Sequence, residues 1–80
     1  MTTQTETTTE QPREYHFVLT VQKPALSGGY IVADWSGYMT PEPGWTRHDT
    51  YQAIRAEHVK QNPNLANASV LFFSLEPNQL

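Results

Sequence analysis

The chain contains no cysteine, and its longest uninterrupted apolar runs are four residues long, 30–33 and 70–73. Without cysteine there can be no disulfide and no thiolate metal site. A helix needs ~20 apolar residues to span a bilayer, so we expect no membrane-spanning helix. No charged segment precedes an apolar stretch near the start of the sequence, so we expect no signal peptide. Together these absences favour a cytoplasmic location.

Positive charge is also scarce, and it is scattered along the chain. Five lysine and arginine residues stand against eight aspartate and glutamate residues, which gives a net charge of −3. Phosphate contacts dominate the affinity of proteins for nucleic acids and require clustered cations, so this balance argues against a stand-alone nucleic-acid-binding protein. The acidic excess is in turn too small for the dense carboxylate array of a DNA mimic.

Residue patterns typical of catalysis or metal binding are missing as well. The histidines at positions 16, 48 and 58 do not have the spacing that places two metal ligands on one helix face. His48 and Asp49 are adjacent, and adjacent side chains on a helix do not face each other. The glycines of residues 27–29 precede a strand, whereas a phosphate cradle needs a helix after the loop. We therefore expect a non-enzymatic protein without a cofactor or a metal.

The first part of the sequence predicts a disordered tail followed by a strand. Residues 1–14 are mostly threonine, glutamine and glutamate, and such a segment cannot bury enough apolar surface to offset the entropy lost on ordering. Residues 15–22 alternate between apolar and polar side chains, which indicates a half-buried strand. The folded domain is therefore expected to comprise residues 15–80, a length at which the core alone supplies only ~3–5 kcal/mol.

Residues 30–39 predict a second strand that pairs with the first as a hairpin. The two strands are joined by residues 23–29, in which a proline and two adjacent glycines are typical of a loop. Gly37 is expected to mark a bulge or a bend in the second strand. The side chains of this strand that are expected to point toward the core are Ile31, Ala33 and Trp35.

A proline-rich turn followed by a capping pattern predicts a helix from Arg47 to Gln61. Thr46 is the expected N-cap, and Asp49 approximates a capping box with aspartate in place of glutamate. Pro63 ends the helix, because proline cannot continue its hydrogen bonding. The stripe expected to face the core consists of Tyr51, Ile54 and His58, with Val59 at its margin. The histidine of this stripe is expected to be hydrogen-bonded at the edge of the core.

The order strand, strand, helix, strand predicts an α+β fold of the ββαβ type. The third strand covers residues 69–75, and Leu65 before it is expected to fold back over the core. A helix of this length returns the chain along the sheet, so the third strand runs antiparallel to the first and lies beside it. The predicted sheet is three-stranded and antiparallel, with strand order 2-1-3 and one helix packed on one face.

The opposite face of the predicted sheet, which we call the open face, has no layer to cover it. The apolar side chains expected there are Val18, Tyr30, Val32, Tyr38 and one of two pairs from the third strand, Val70 with Phe72 or Leu71 with Phe73. The third strand is also an edge without charge or proline, which is prone to pairing with other chains. Small monomers rarely expose this much apolar surface, so we expect self-association, for example as a homodimer, or a protein partner.

Four aromatic residues are the candidates for this protein contact: Tyr38, Trp45, Phe72 and Phe73. Tyr38 and one of the two adjacent phenylalanines belong to the open face. Trp45 immediately precedes the N-cap, where it either packs on the first helical turn or stays exposed as an aromatic anchor of the kind that dominates many interfaces. The sequence leaves open both the role of Trp45 and the choice of which side of the third strand is buried.

Two stretches carry a resemblance to a group of proteins. They read T-P-E-P-G-W-T-R-H-D-T-Y-Q-A-I-R-A-E over residues 40–57 and S-V-L-F-F-S-L-E-P-N-Q-L over residues 69–80. With the rest of residues 15–80 they resemble small uncharacterised proteins of actinobacterial genomes and their mobile elements. The resemblance implies a bacterial or phage setting in the cytoplasm, and it implies no activity and no binding residue.

The sequence therefore predicts a non-enzymatic interaction module that acts through its open face or the edge of its third strand, as an accessory or regulatory protein of a mobile element. One alternative is a nucleic-acid-binding regulator that lays the sheet on DNA or stacks bases on aromatic side chains. Its candidate residues are Arg13, Lys23, Tyr30 and Tyr38. Another alternative is a small-molecule binder or an enzyme, although no nucleophile, base and orienting residue can be assembled from the sequence.

Overall fold

The computed structural model of the protein describes residues 13–80. The elements in chain order are β1 (Tyr15–Pro24), β2 (Tyr30–Met39), α1 (Arg47–Gln61), a 3-10 turn (Pro63–Leu65) and β3 (Ser69–Pro77). Most of the predicted disordered tail, residues 1–12, lies outside the described residues. The last residue of that predicted tail, Glu14, is held in place, because Asn78 donates to its carbonyl at 2.9 Å and to its carboxylate at 2.8 Å.

The three strands form one antiparallel sheet in the order β2-β1-β3, which confirms the predicted ββαβ arrangement. β1 pairs with β2 along its whole length without a shift in register. β1 and β3 each run two residues past their predicted ends, to Pro24 and Pro77. Because both prolines are the last residues of their strands, neither one interrupts a hydrogen-bond ladder.

A short turn of residues 25–29 joins β1 to β2. The N–H of Ala25 donates to the carbonyl of Gly29 at 3.0 Å, and the N–H of Gly28 donates to the carbonyl of Ala25 at 3.1 Å. Gly28 and Gly29 have φ values of +98° and +73°. Any side chain would be strained in this left-handed conformation, so the two glycines determine the geometry of the hairpin.

The helix α1 begins and ends where the sequence predicts. The Thr46 hydroxyl accepts a hydrogen bond from the N–H of Asp49 at 3.0 Å, and the Asp49 carboxylate accepts one from the N–H of Thr46 at 3.0 Å. This reciprocal pair is a capping box with aspartate in the position that glutamate more often occupies. At the other end, the N–H of Asn62 donates to the carbonyl of His58 at 2.8 Å before Pro63 begins the 3-10 turn.

The core lies between α1 and the middle strand of the sheet. Phe17, Leu19 and Val21 point from β1 toward the helix and are buried, with the last two 0 % exposed. Burying one large aliphatic side chain contributes about 1.5–3 kcal/mol, so β1 makes the largest contribution to the core. The other buried apolar residues are Ile54, Leu65 and Ala68. The burial of Leu65 confirms that the chain folds back over the core after the helix.

The buried stripe of α1 differs from the prediction at one position. Ile54 and His58 are buried as predicted, but the third buried residue is Thr50, and Tyr51 is only half-buried. The Thr50 hydroxyl donates to the backbone carbonyl one turn before it at 2.9 Å, so its polar group is satisfied within the helix. Tyr51 instead packs edge-on against Phe73, with ring centroids 4.9 Å apart.

The prediction of a bulge or bend at Gly37 is wrong. Gly37 pairs with Phe17 in an unbroken register, and a Cβ at Gly37 would lie 3.4 Å from the Phe17 ring. The glycine therefore leaves room for the phenylalanine ring to lie across the neighbouring strand.

Replacing Thr46 by alanine is expected to lower the free energy of unfolding by about 1 kcal/mol, because the first turn of α1 loses its capping acceptor. Urea denaturation followed by circular dichroism measures the change. Thr40→Ala, at an exposed position outside the capping box, is the matched control and should change stability by less than ~0.5 kcal/mol. Equal losses in the two variants would contradict the stabilising role of the cap.

Candidate interaction surface

The open face of the sheet has a polar centre. Four β1 residues on this face each lie between one residue of β2 and one of β3. The four rows across the sheet are Tyr38, His16 and Glu76; Ser36, Val18 and Ser74; Asp34, Thr20 and Phe72; and Val32, Gln22 and Ser69. The Thr20 hydroxyl donates to the Asp34 carboxylate at 2.9 Å within this centre. Val18 of β1 lies on this face as predicted and is half-buried, whereas the exposed large apolar side chains of the face lie on the outer strands, β2 and β3, as two separate margins.

A β-bulge shapes the margin on β3. Val70 and Phe72 pair with consecutive residues of β1, which leaves Leu71 between them without a partner on that strand. One extra residue interrupts the alternation of sides, so the adjacent residues Leu71 and Phe72 are both exposed, at 53 % and 55 %. Val70 and Phe73 on either side of them pack against the core. Neither of the two pairs predicted for this strand therefore shares one face.

The margin on β2 carries more exposed apolar side chains than the margin on β3. Tyr30, Val32 and Tyr38 project from the open face and are 66 %, 56 % and 68 % exposed. Ile31 alternates to the helix side, as predicted, but α1 does not cover it, and it is 44 % exposed. The core therefore ends before it reaches the outer edge of β2.

The four aromatic residues predicted for the contact do not form one surface. Tyr38 and Phe72 both lie on the open face, but on opposite outer strands that are two strand spacings, or about 10 Å, apart. Phe73 faces α1, where the Arg47 guanidinium lies 5.4 Å from its ring centroid. Trp45 lies in the connection before α1 and is 39 % exposed. Tyr38 and Phe72 are thus accessible at separate places on the sheet, and Trp45 is accessible outside the strands.

A cleft of about 260 Å³ opens between β2 and α1. Residues 36–39 line it from β2, and Ala53 and Glu57 are among the residues that line it from α1. The rings of Phe17 and Trp35, in edge-to-face contact with centroids 5.0 Å apart, also line the cleft. The sequence offers one signal of this cleft, which is the small side chains of Gly37 and Ala53 on facing elements. Periodicity alone does not reveal it.

His58 is a buried histidine with an unsatisfied ring nitrogen. Its ring stacks on Trp35, with centroids 5.2 Å apart and an interplanar angle of 14°. The predicted hydrogen bonding does not hold for Nδ1, which is buried and has no partner within the described part of the chain. Burial, and secondarily the positive charge of Arg55, lower the pKa of His58 from its ordinary value of 6.5. The neutral imidazole is therefore the form that the fold favours.

The polar side chains of residues 13–80 form no candidate metal centre. No three histidine, aspartate or glutamate side chains in that range lie close enough to hold a metal ion. Asp49, the acid next to His48 in the sequence, is occupied by the capping box. The same range contains no helix with the length and apolar character to cross a membrane.

Comparison of the chain with protein-family models, with curated proteins and with solved structures gives no match. The candidate surface therefore rests on the geometry of the two margins and the cleft.

We expect the free energy of unfolding to fall as the pH is lowered through 6.5. A histidine whose pKa is lower in the folded chain binds fewer protons there than in the unfolded chain. The loss therefore begins near the unfolded value of 6.5 and ends below the lowered folded pKa, with a slope of at most about 1.4 kcal/mol per pH unit for one proton. Urea denaturation at pH 7.5, 6.5, 5.5 and 5.0 measures the slope, with buffer pH values chosen around the ordinary histidine pKa.

His58→Phe should reduce this pH dependence, because phenylalanine keeps the stacking on Trp35 and removes both the titration and the unsatisfied Nδ1. Thr40→Ala, which changes an exposed residue and removes no ionisable group, is the control and should retain the slope of the unmodified chain. A slope that is unchanged in His58→Phe would show that His58 is not its source.

Proposed function

We propose that this protein is a non-enzymatic interaction module that binds another protein chain through the margins of its sheet. The observation that carries the proposal is the simultaneous exposure of Leu71 and Phe72, which the bulge turns to solvent together on an outer strand. Two adjacent large apolar side chains in a segment without charged residues, 69–75, are unfavourable in water, and a bound partner would remove them from it. The other outer strand, β2, also offers backbone groups for a partner chain.

Tyr38 and Trp45 belong to the proposed contact as further aromatic anchors. Both are exposed, and aromatic side chains supply much of the binding free energy in protein interfaces. Phe73 has a different role in the proposal, since it packs against α1 and supports β3 from the core side. The proposed partner is either a second copy of this chain or a different protein.

The cellular setting is part of the same proposal. The resemblance of residues 15–80 to small proteins of actinobacterial genomes and mobile elements supports a bacterial cytoplasm and an accessory or regulatory role. In that role the module would act by occupying a surface of its partner, without chemistry of its own.

The nucleic-acid alternative gains less support from the arrangement of charges. Lys23 alternates to the helix side, where its ammonium donates to a backbone carbonyl, whereas Tyr30 and Tyr38 project from the open face. The paired strand residues on the open face include Asp34 and Glu76 and no lysine or arginine. A phosphate backbone laid on this face would therefore meet carboxylates instead of cations.

Incorporating the photo-crosslinker p-benzoylphenylalanine at Phe72 is expected to capture a protein chain covalently when cells producing the variant are irradiated. The expected result follows from the exposure of Phe72 on the proposed contact. Gel electrophoresis and mass spectrometry identify the product. The same crosslinker at Leu26, a fully exposed position in the turn between β1 and β2, is the matched control. Identical products at both positions, or none at Phe72, would contradict the proposed contact.

A further inference from the structure

We infer that the outer edge of β2 binds a second copy of this chain, with the two β2 strands paired antiparallel about a two-fold axis at Trp35. The inference rests on the proposed function, because it names the partner and the surface for one of the two margins. The result would be a continuous six-stranded antiparallel sheet with both α1 helices on the same face.

β2 is better suited than β3 to accept a strand. In the order β2-β1-β3 it is an outer strand, so one row of its backbone N–H and C=O groups has no strand partner within residues 13–80. It pairs with β1 without a register shift and contains no proline. β3 is interrupted at Leu71 and ends at Pro77, and both features oppose the addition of a strand.

The distribution of apolar surface points to the same edge. Of the nine large hydrophobic residues exposed in the described range, four lie on β2 and two on β3. The four on β2 are Tyr30, Ile31, Val32 and Tyr38. They occupy both faces of the strand, so a partner strand laid beside β2 would cover apolar side chains above and below the sheet.

Symmetry restricts the register of this pairing. A two-fold axis perpendicular to the sheet keeps both helices on one face. Each β2 residue then lies opposite a partner residue whose side chain is on the same face. Because side chains alternate between faces along a strand, the numbers of the two paired residues sum to an even number. β2 comprises residues 30–39, so pairs summing to 68 cover 30–38 and pairs summing to 70 cover 31–39. These two registers, centred on Asp34 and on Trp35, give the longest overlaps.

Charge and side-chain contacts decide between the two registers. The register centred on Asp34 places two carboxylates directly opposite each other, which is destabilising. The register centred on Trp35 places Asp34 opposite the partner's Ser36, whose hydroxyl can donate a hydrogen bond to it. On the open face it also places Val32 opposite the partner's Tyr38, so two exposed apolar side chains become cross-strand neighbours.

The same register accounts for the cleft between β2 and α1. On the helix face, Ile31 lies opposite the partner's Met39, a residue that lines the cleft. Ala33 lies opposite the partner's Gly37, where a small side chain can approach closely. The exposed Ile31 of each copy therefore covers the cleft of the other copy. In the monomer both the Ile31 side chain and the cleft are open to water, and in the dimer each shields the other.

A double cysteine variant tests the register directly. The chain has no cysteine of its own, so Val32→Cys/Tyr38→Cys reports only on the engineered positions. Within one copy these positions are six residues apart along the strand, or about 20 Å, which is too far for a disulfide. In the proposed dimer, position 32 of one copy lies opposite position 38 of the other. Their Cα atoms are then about 5 Å apart, which is within disulfide range. Mild oxidation should therefore produce a covalent dimer that dithiothreitol separates.

The variant Val32→Cys/Ser36→Cys is the matched control, because it reports on the register centred on Asp34. We expect Val32→Cys/Tyr38→Cys to form the covalent dimer at least about tenfold faster than this control, since diagonal positions lie outside disulfide range. Faster crosslinking of the control, or equal rates for both, would overturn the proposed register. Circular dichroism establishes that both variants remain folded.

Light scattering of the unmodified chain over a concentration series tests the dimer itself. The mass is expected to approach twice the chain mass of 9.1 kDa. Val32→Lys should raise the dissociation constant about tenfold or more, because its charge would be buried against the partner's Tyr38. Leu26→Lys should leave it unchanged. A mass of 9.1 kDa at every concentration would overturn the inference.

The experiments distinguish failure of the proposed contact at Phe72 from failure of the proposed β2 dimer. A monomer that still gives a specific photo-crosslinked product at Phe72 would overturn the β2 dimer and support the interaction module. A dimer that crosslinks through positions 32 and 38, with no product at Phe72, would support the inference and overturn the contact at β3.

Discussion

The burial of one side of β1 beneath α1 is the constraint on which the rest of the structure depends. Phe17, Leu19 and Val21 are the strand's contribution, and they include the largest fully buried apolar side chains among residues 13–80. A chain without cysteine has no disulfide to supplement so small a core. Because β1 pairs with both other strands, its position under the helix also determines where β2 and β3 lie.

The same strand determines what the open face presents. Alternation turns its polar side chains away from the helix, and Thr20 at the centre of the sheet is bonded to Asp34 on β2. Large apolar side chains are consequently left to the outer strands. The surfaces available for association are therefore the two margins of the sheet and the cleft beside β2, and a continuous apolar face is not formed.

The two outer strands differ in the regularity of their exposed edges. The bulge at Leu71 interrupts β3, which exposes apolar side chains while it disturbs the backbone pattern that another strand would need. β2 retains a regular backbone, and α1 leaves Ile31 near its edge uncovered. A side-chain contact at β3 and strand pairing at β2 are thus compatible in one molecule, since the two strands are at opposite edges of the sheet.

The sequence by itself determined the elements and their order, because those depend on local signals. Thr46 and Pro63 mark the ends of α1, alternation marks the strands, and a hairpin followed by a helix leaves few topologies. Only the tertiary structure decided which side chains of β3 are exposed, since the bulge at Leu71 arises from pairing with β1. Tertiary packing likewise decided that Ile31 is exposed, because α1 does not extend over it. It also decided that no group of residues 13–80 hydrogen-bonds to Nδ1 of His58. Both outcomes depend on distances between elements, which no local pattern encodes.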